Sequence, residues 1–338
     1  MNKNSKILVC GGSGLVGSAI IRELKKYGYT NIISARLHGS DNVPEKIYQI
    51  DFRSEDETNL FIYKIKPEYV FIAAAKVGGV LANSKYPVEF LTDNMRIELN
   101  IIINSYQNEA KKVLFLGSSC IYPKNCAQPI REEDILSGPL ESTNEAYALA
   151  KIAGIKLIEY YCKQYGKDGV CLMPCNLYGP NDNFDPQGSH VIPGMINKFH
   201  KAKINNESEV ILWGTGKPQR EFLYSSDLAK AAIIMMYHHS YQNTKEILYN
   251  VGSGEEYSIR GLAGVVSSVI GYCGNIKWDN FNPDGVSQKL MSNEKFEKFL
   301  YDKNLSWKPN NDMYSLLGKV YKSYLEGIKY PWLNIRLK

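Results

Sequence analysis

Tyr147 and Lys151 are the residues whose types and spacing first suggest chemistry in this chain. They lie four residues apart in "EAYALAKIAG", a stretch of helical character, so their side chains share one helix face. A phenol is a poor acid or base at neutral pH unless a neighbouring cation lowers its pKa, and the Lys151 ammonium is such a cation. The same ammonium can bind a nicotinamide ribose. A Tyr and Lys pair on an ordinary solvated helix face is the alternative.

Ser118 strengthens the catalytic interpretation. It lies in the apolar run "KVLFLGSS", a predicted strand whose end a doubly wound sheet would place beside the helix that carries Tyr147. The serine hydroxyl can donate a hydrogen bond to a carbonyl oxygen while Tyr147 protonates that oxygen. Beside a bound dinucleotide, Ser118, Tyr147 and Lys151 therefore predict a carbonyl reductase site.

The glycines of "CGGSGLVGSAI" indicate where a dinucleotide would bind. Gly11, Gly14 and Gly17 have the GxxGxxG spacing, directly after a predicted strand and directly before a predicted helix. Glycines there permit a tight turn and the close approach of a pyrophosphate, whose charge meets the helix N-terminus at Leu15 and Val16. The strand, turn and helix context favours this interpretation over a merely tight connection.

Three later features complete the predicted cofactor site. Arg36 ends the second strand where NAD-preferring folds carry a carboxylate, and a guanidinium there suits a 2′-phosphate. NADPH is therefore the predicted cofactor, with a solvated Arg36 as the alternative. Asp51, at the end of the third strand, can accept hydrogen bonds from the adenine amino group. A floor of small residues is expected at Ala73, Ala74 and Ala75.

Composition narrows the class of protein. The chain has 338 residues, 44% of them hydrophobic and 22% charged, and its net charge of +5 disfavours nucleic acid as a partner but is compatible with an anionic small molecule. Seven cysteines without a CxxC pair and five histidines without an HExxH motif predict reduced thiols and no metal. No segment reaches the ~18 apolar residues of a membrane span, and the N-terminal apolar run is short for a signal peptide, so we expect a soluble, cytoplasmic protein.

Short apolar runs alternate with helical patterns through the first half of the chain, which is typical of βαβ units with a parallel sheet. Runs such as "YVFIAAA" are apolar on both faces and need helices on both faces. The predicted fold class is α/β, with a Rossmann-type doubly wound parallel sheet over residues 1–178 that binds the dinucleotide. Residues 179–338 are rich in loops and aromatic residues, and they predict a smaller C-terminal substrate-binding lobe with some segments returning to the first domain.

The chain resembles the extended short-chain dehydrogenases/reductases, and more narrowly the GDP-L-fucose synthase family, over about Lys6 to Lys289. The stretches that carry the resemblance are "AAAKVGG", "NMRIELNII", "GSSCIYP", "YALAKIAGIKL", "NLYGPNDNF", "SHVIPGMINKFH" and "WGTGKPQREF". The resemblance implies NADPH-dependent reduction at carbon 4 of a GDP-4-keto-6-deoxy sugar, with epimerisation at carbons 3 and 5, for surface polysaccharide precursors.

In this resemblance Cys120 and His190 are the epimerisation residues. Protons on carbons 3 and 5 of the sugar lie next to the ketone, so removal of one leaves an enolate. Cys120 would remove that proton and His190 would return one to the opposite face, while Ser118 and Tyr147 stabilise the oxyanion. A thiol is a suitable base because its ordinary pKa, near 8.5, lies close to neutral pH. The alternatives are a buried structural thiol and a loop histidine that caps a helix.

The predicted substrate residues lie mostly in the second half of the chain. From their chemistry, Arg220 offers a phosphate fork and Trp213 a stacking surface, and Lys198 lies one helical stretch beyond His190. By resemblance, Asn176, Arg220 and Lys289 would bind the sugar and its diphosphate, together with His190. Asn176 as a partner of loop backbone and Lys198 as a solvated charge are the alternatives.

The chain departs from bacterial family members in two places: the first leaves Arg36 more responsible for any NADPH preference, and the second leaves the sugar open. The glycine loop reads "GGSG" where many carry a His-Arg pair, and "PDGVSQKLMS" has Gln288 and Ser292 in place of an arginine and an aspartate. One alternative is therefore an enzyme that only reduces a related GDP-4-keto-6-deoxy-heptose. Another is a non-catalytic NADPH-binding regulator. By resemblance, long apolar helices within "NMRIELNIIINSYQN" and "AGIKLIEYYCKQYG" predict a homodimer.

Overall fold

The protein is described by a computed structural model over residues 1–37, 47–185, 188–281 and 284–329. Its first half alternates strands and helices, with short 3₁₀ helices at Ser119–Ile121 and Glu132–Asp134. The elements are β1 (Ile7–Cys10), α1 (Leu15–Lys26), β2 (Ile32–Arg36), β3 (Ile47–Gln49), α2 (Glu55–Ile65), β4 (Tyr69–Ile72), α3 (Val80–Lys85), α4 (Pro87–Gln107), β5 (Lys112–Leu116), α5 (Glu145–Tyr165), β6 (Gly169–Pro174) and β7 (Asn176–Tyr178).

The second half mixes short strands with helices. Its elements are α6 (Val191–Ile204), β8 (Glu209–Trp213), β9 (Gln219–Tyr224), α7 (Ser225–His238), α8 (Tyr241–Thr244), β10 (Leu248–Val251), β11 (Glu256–Ser258), α9 (Ile259–Ile270), β12 (Asn275–Asp279), α10 (Glu294–Asp302) and α11 (Met313–Lys329). In the described ranges, every helix is too short or too polar to cross a membrane.

A seven-stranded parallel sheet forms the centre of the molecule, in the order β10-β6-β5-β4-β1-β2-β3. Strands β1, β5 and β6 are buried along their whole length, because α1 and α7 pack on one face of the sheet and α2, α4 and α5 on the other. This confirms the predicted Rossmann-type doubly wound sheet. The strand order reverses between β1 and β4, which is where such sheets bind ligands.

A second, smaller core lies in the C-terminal half. It contains a three-stranded sheet (β11-β9-β7) and a two-stranded sheet (β12-β8), with α6, α9 and α11 packed against one another. Two later segments rejoin the first core: β10 pairs with β6, and α10 packs on β10. The smaller lobe of the predicted fold class is thus present, and the boundary at residue 178 stays a prediction.

A buried histidine, His239, lies near the amino end of β5. Lys112, the first residue of β5, donates hydrogen bonds from its ammonium to the carbonyl oxygen of Met235 at 2.9 Å and to that of His239. Nε2 of the His239 ring lies 2.8 Å from the carbonyl oxygen of Glu246. Burial, with the Lys112 charge as a further cause, lowers the pKa of His239 to about 3. The folded protein therefore keeps this imidazole neutral.

We expect His239 to make folding sensitive to acid. An unfolded histidine titrates near pH 6.5, so below that pH the unfolded chain binds a proton that the folded chain does not. At pH 4.5 this lowers the free energy of unfolding by about 2 to 3 kcal/mol relative to neutral pH. Urea titrations at pH 4.5 and at neutral pH should show a smaller loss of unfolding free energy in His239→Gln than in the wild type. The exposed neighbour is the control: the pKa of His238 is lowered too, but His239 is the buried residue, so His238→Gln should lose more stability in acid than His239→Gln, and equal losses in the two variants would contradict the assignment.

Candidate active site

The GSSC segment begins where β5 leaves the sheet. Ser118 has an extended backbone and precedes the short 3₁₀ helix Ser119–Ile121, and its Oγ accepts a hydrogen bond from the Cys120 N–H at 3.3 Å. Both side chains are partly exposed, whereas Ser119 between them is buried. The turn therefore presents the Ser118 hydroxyl and the Cys120 thiol at the carboxyl edge of the sheet.

Helix α5 supplies Tyr147 and Lys151, and its amino end packs against the GSSC turn. The Lys151 side chain is only 2% exposed, and its ammonium lies 5.7 Å from the Tyr147 ring centroid and 4.6 Å from that of Phe115. The same Nζ lies 2.8 Å from Oε1 of Glu98 on α4. The two residues share a helix face as the spacing predicts, but Glu98 engages the lysine charge.

The pKa of Tyr147 differs from the sequence-based expectation. Burial of the phenol raises it well above its ordinary value, and the neighbouring Cys120 and Glu98 raise it further. The Lys151 cation, which we expected to lower it, is paired with Glu98 instead. Tyr147 consequently holds its proton throughout the neutral range, which suits a proton donor better than a base.

Asn144 is a site residue that sequence reasoning missed. It precedes the first turn of α5, and its side-chain amide donates to Sγ of Cys120 at 3.4 Å. This hydrogen bond helps to orient the Cys120 side chain at the carboxyl edge of the sheet. Within the described ranges the other amide atom, Oδ1 of Asn144, is buried and lacks a hydrogen-bond partner. An asparagine before a helix reads as an ordinary N-cap, so nothing in the sequence distinguishes this role.

His190 approaches from the second lobe. It precedes α6, and its carbonyl oxygen accepts from the Gly194 N–H at 2.9 Å. The preceding turn meets the segment after β4, since the Gly79 N–H donates to the carbonyl oxygen of Gly188 at 3.2 Å. Desolvation by the surrounding protein lowers the pKa of His190. A protonated His190 is therefore a stronger acid than a free imidazolium, and it is less populated at neutral pH.

The glycine loop has the shape that a dinucleotide needs. Gly11 has φ +83°, and a Cβ there would lie 2.7 Å from the backbone nitrogen of Ala74. A Cβ on Gly17 would lie 2.2 Å from the carbonyl oxygen of Gly11. Gly14 precedes α1, whose first-turn N–H groups at Leu15, Val16 and Gly17 have no partner within the helix. These donors fit a pyrophosphate, and the small residues after β4 leave the backbone close to it.

The two charged cofactor residues lie on neighbouring strands of this edge. Arg36 ends β2, and its carbonyl oxygen accepts from the Ile50 N–H next to Asp51. Both Asp51 oxygens accept from the guanidinium of Arg53, at 2.9 Å from Nε and 2.7 Å from Nη2. Arg53 in turn lies 3.7 Å from Asp93 of α4. The roles of Arg36 at a 2′-phosphate and of Asp51 at adenine remain predictions.

Lys198 and Trp213 lie together on the second lobe. The Lys198 ammonium is 5.5 Å from the Trp213 ring centroid and donates to the carbonyl oxygen of Ile211 at 3.2 Å. Lys198 is exposed, partial burial lowers its pKa, and its role at the substrate remains a prediction. Trp213 itself is 53% exposed. A half-exposed indole beside a lysine can stack on a base and contact an anion.

A chain segment brings Lys289 towards Arg220. The Gln219 N–H donates to the carbonyl oxygen of Ser287 at 2.8 Å, and Nη2 of Arg220 would lie 3.1 Å from a Cβ on Gly285. Burial lowers the pKa of Arg220, while the carboxylates of Asp284 and Glu256 oppose that shift. Arg220 and Lys289 thus come from adjacent backbone segments, as a site for a diphosphate requires.

Asn176, and the two residues that depart from the family pattern, are engaged within the protein. Asn176 donates from its side chain to the carbonyl oxygen of Glu221 at 2.9 Å, which agrees with the alternative in which it serves the backbone. Gln288 donates to Oε2 of Glu256 at 2.7 Å. Ser292 is buried. Among the described residues, His, Cys, Asp and Glu form no cluster of three that could bind a metal ion.

Comparisons with known proteins show the family to which the chain is similar. Residues 7–252 match the NAD dependent epimerase/dehydratase family. The chain is 44% identical to GDP-L-fucose synthase 1 of Arabidopsis thaliana, over 97% of this chain and 95% of that protein. It is 41% identical to the GDP-L-fucose synthase of Escherichia coli strain K12, over 95% and 97%. A similar solved structure is MlghC, a GDP-mannoheptose C4 reductase from Campylobacter jejuni with NADP bound, at 31% identity and a TM-score of 0.82, covering 96% of this chain and 99% of that one.

Proposed function

The chain belongs to the NAD dependent epimerase/dehydratase family and, within it, to the GDP-L-fucose synthases, and on that premise we propose that it converts GDP-4-keto-6-deoxymannose to GDP-L-fucose. The reaction has two parts, epimerisation at carbons 3 and 5 and NADPH-dependent reduction at carbon 4. The observation that carries the proposal is the cluster of Ser118, Cys120, Tyr147 and Lys151 at one edge of the parallel sheet.

Epimerisation needs a base on one face of the sugar and an acid on the other. Cys120, with the Asn144 amide on its sulfur, would take a proton from carbon 3 or 5, so that the C–H bond breaks and an S–H bond forms. The electron pair moves to the ketone oxygen, where Ser118 and Tyr147 donate hydrogen bonds. His190, on the opposing lobe, would return a proton to the other face, which inverts the centre.

Reduction uses the same ketone oxygen. Bound NADPH would supply the hydride for carbon 4. Tyr147, which keeps its proton at neutral pH, would then protonate the developing alkoxide while Ser118 keeps the oxygen in place. Lys151 would orient the nicotinamide ribose, and the glycine loop with α1 would bind the pyrophosphate. Lys198, Trp213, Arg220 and Lys289 would bind the GDP moiety.

The direct test is turnover. Purified protein given NADPH and GDP-4-keto-6-deoxymannose should show loss of NADPH absorbance that depends on the keto sugar. No oxidation with any GDP-keto sugar would reject the enzyme and favour the non-catalytic NADPH-binding regulator.

A departure from the family's sequence pattern favours a second candidate substrate. Gln288 and Ser292 stand where the family resemblance expects an arginine and an aspartate, and the structural neighbour MlghC is a GDP-mannoheptose C4 reductase. The alternative proposal is therefore reduction of a GDP-4-keto-6-deoxy-heptose without epimerisation. The two substrates are distinguished by their kcat/KM ratio: a preference for the heptose would overturn the assignment to GDP-L-fucose.

NADPH preference should depend on Arg36. Its guanidinium would form charge-assisted hydrogen bonds with a 2′-phosphate, each worth about 1.5 to 3 kcal/mol. We therefore expect Arg36→Ala to raise KM for NADPH by about 10- to 100-fold and to leave KM for NADH nearly unchanged. Lys25→Ala, which removes a charge from the exposed end of α1, is the control. An equal rise in KM for NADPH and for NADH would show that Arg36 does not bind the 2′-phosphate.

We also propose a homodimer that pairs α4 and α5 with the same helices of a second copy. These helices expose apolar side chains on their outer faces, with Val88 66% exposed, Leu149 43% and Tyr160 56%. Val88 and Leu149 border a shallow groove of about 460 Å³ between the helices. Light scattering at micromolar concentration should give twice the 38.2 kDa chain mass, and Leu149→Arg should halve it. A monomeric wild type would reject the dimer.

The remaining parts of the proposal concern cellular context. A product of this kind is an activated sugar, so we place the enzyme in the supply of surface polysaccharide precursors. The cytoplasm is the proposed location, where NADPH and nucleotide sugars are available.

A further inference from the structure

Glu98 is the most deeply buried carboxylate beside the proposed reductive residues. Glu98 lies on α4 and is 1% exposed. Its Oε1 is 2.8 Å from Nζ of Lys151, whose side chain is 2% exposed. Burying a charge without a partner costs several kcal/mol, so the two charges depend on each other. The ammonium otherwise faces two aromatic rings, those of Phe115 and Tyr147.

The fold makes room for this carboxylate. Gly154, one turn beyond Lys151 on α5, faces it directly: a Cβ there would lie 2.9 Å from Oε2 of Glu98 and 2.8 Å from the Phe115 ring. Any larger residue would displace the carboxylate or the ring. The glycine of "AKIAG" therefore belongs to the same arrangement as the catalytic lysine, although it carries no functional group.

Apart from Lys151, the Glu98 carboxylate has few polar partners. Apart from the Lys151 contact, neither oxygen has a hydrogen-bond partner of good geometry among the described residues. Burial raises the pKa of Glu98, and the Lys151 charge opposes that shift. A buried acid with one ionic partner and no other role in the fold is unusual, because such groups are normally hydrogen-bonded or functional.

We propose that Glu98 is a positioning residue for the reduction: its carboxylate pairs with the Lys151 ammonium and places it beside Tyr147. The proposal rests on the proposed function, because it assumes that Lys151 and Tyr147 act on a bound ketone and cofactor. Glu98 would touch neither of these. It would act through Lys151, and through its negative charge on the Tyr147 phenol.

Other titratable groups face this pair from each packed element. Tyr147 comes from α5, Cys120 from the turn after β5, and Cys171 from β6, whose thiol is affected by both Glu98 and Lys151. Burial raises the pKa of Tyr147 and that of Cys171 well above their ordinary values, so both side chains are uncharged in the neutral pH range. Glu98 is thus the negative charge paired with the lysine, and its removal changes the electrostatics of the site more than any of these groups would.

The test compares charge with geometry. Glu98→Gln should lower kcat for keto-sugar reduction about 10- to 100-fold and move the high-pH fall in rate to lower pH by about one unit or more, because an unpaired buried ammonium gives up its proton more readily. Glu98→Asp keeps the charge, so it should lose rate while its pH profile stays near that of the wild type. Glu109→Gln, an exposed change just after α4, should match the wild type.

Gly154→Ala is the second variant, for the case in which Glu98→Gln does not fold. It keeps every charge but displaces the carboxylate, so we expect lower kcat with an unshifted pH profile. Wild-type rate and pH profile in both Glu98→Gln and Gly154→Ala would overturn the proposal.

NADPH titration by fluorescence separates this proposal from the proposed function, since it needs no turnover. In Glu98→Gln, affinity for NADPH should fall more steeply between pH 6.5 and 8.5 than in the wild type. A wild type that binds NADPH but reduces no keto sugar would reject the proposed function alone. Parallel titrations in wild type and variant would reject the role of Glu98.

Discussion

Tyr147→Phe should lower kcat for keto-sugar reduction by about 10² to 10⁴-fold, the usual contribution of a positioned proton donor. The phenol is desolvated beside Cys120 and Glu98, and its pKa lies well above the ordinary value, so it is protonated throughout the pH range in which the enzyme would work. Phenylalanine keeps the ring and its edge contact with Phe90, at 6.5 Å between centroids. The loss would therefore report the missing hydroxyl and not a collapsed site.

The measurement is the initial rate of NADPH oxidation, with the thermal midpoint as a check of folding. Tyr165→Phe, near the exposed end of the same helix, removes a hydroxyl far from the site and should match the wild type. NADPH affinity should change little in Tyr147→Phe. A variant that retains wild-type kcat would exclude Tyr147 as the proton donor.

Cys120→Ala should abolish epimerisation and leave the reductive half intact. The thiol is free and partly exposed, and the Asn144 amide donates to its sulfur at 3.4 Å, which helps to orient the side chain. Removal of a base typically costs about 10² to 10⁴-fold. Overall turnover of GDP-4-keto-6-deoxymannose should fall by this factor. Oxidation of GDP-L-fucose by NADP, which is the reverse of reduction and needs no epimerisation, should persist.

Two further variants serve as comparisons for Cys120→Ala. Cys273→Ala removes an exposed thiol and should behave as the wild type in both directions. Asn144→Ala removes the amide on the sulfur and should slow epimerisation more than reverse oxidation. If Cys120→Ala converts GDP-4-keto-6-deoxymannose at the wild-type rate, the thiol takes no part in the reaction.

The parts of the molecule set by local pattern were predictable from sequence. The apolar runs identify the buried parallel strands, since β1 and β5 are buried on both faces. Gly11 and Gly17 identify the dinucleotide loop because the turn needs φ +83° at Gly11 and a close approach of Gly17 to the Gly11 carbonyl oxygen, six residues earlier. The spacing of Tyr147 and Lys151 correctly predicts one helix face. Each of these inferences needs only the geometry of a single strand, turn or helix.

The electrostatics of the site could not be predicted in this way. The direction of the Tyr147 pKa shift follows from desolvation and from Glu98, which belongs to a different helix. Pairing of Lys151 with Glu98, and of Asn144 with Cys120, depends on how α4, α5 and the turn after β5 pack together. Sequence shows which residue types are present, but it does not show which buried charge each one meets.

The most direct test of the whole account is NMR analysis of the product formed in deuterated water from GDP-4-keto-6-deoxymannose and NADPH. Proton removal by Cys120 and return by His190 exchange hydrogen with solvent, whereas the hydride at carbon 4 comes from the cofactor. We predict GDP-L-fucose with deuterium at carbons 3 and 5 and protium at carbon 4. A reduced product without deuterium at carbons 3 and 5 would contradict the bifunctional assignment and leave a reductase alone.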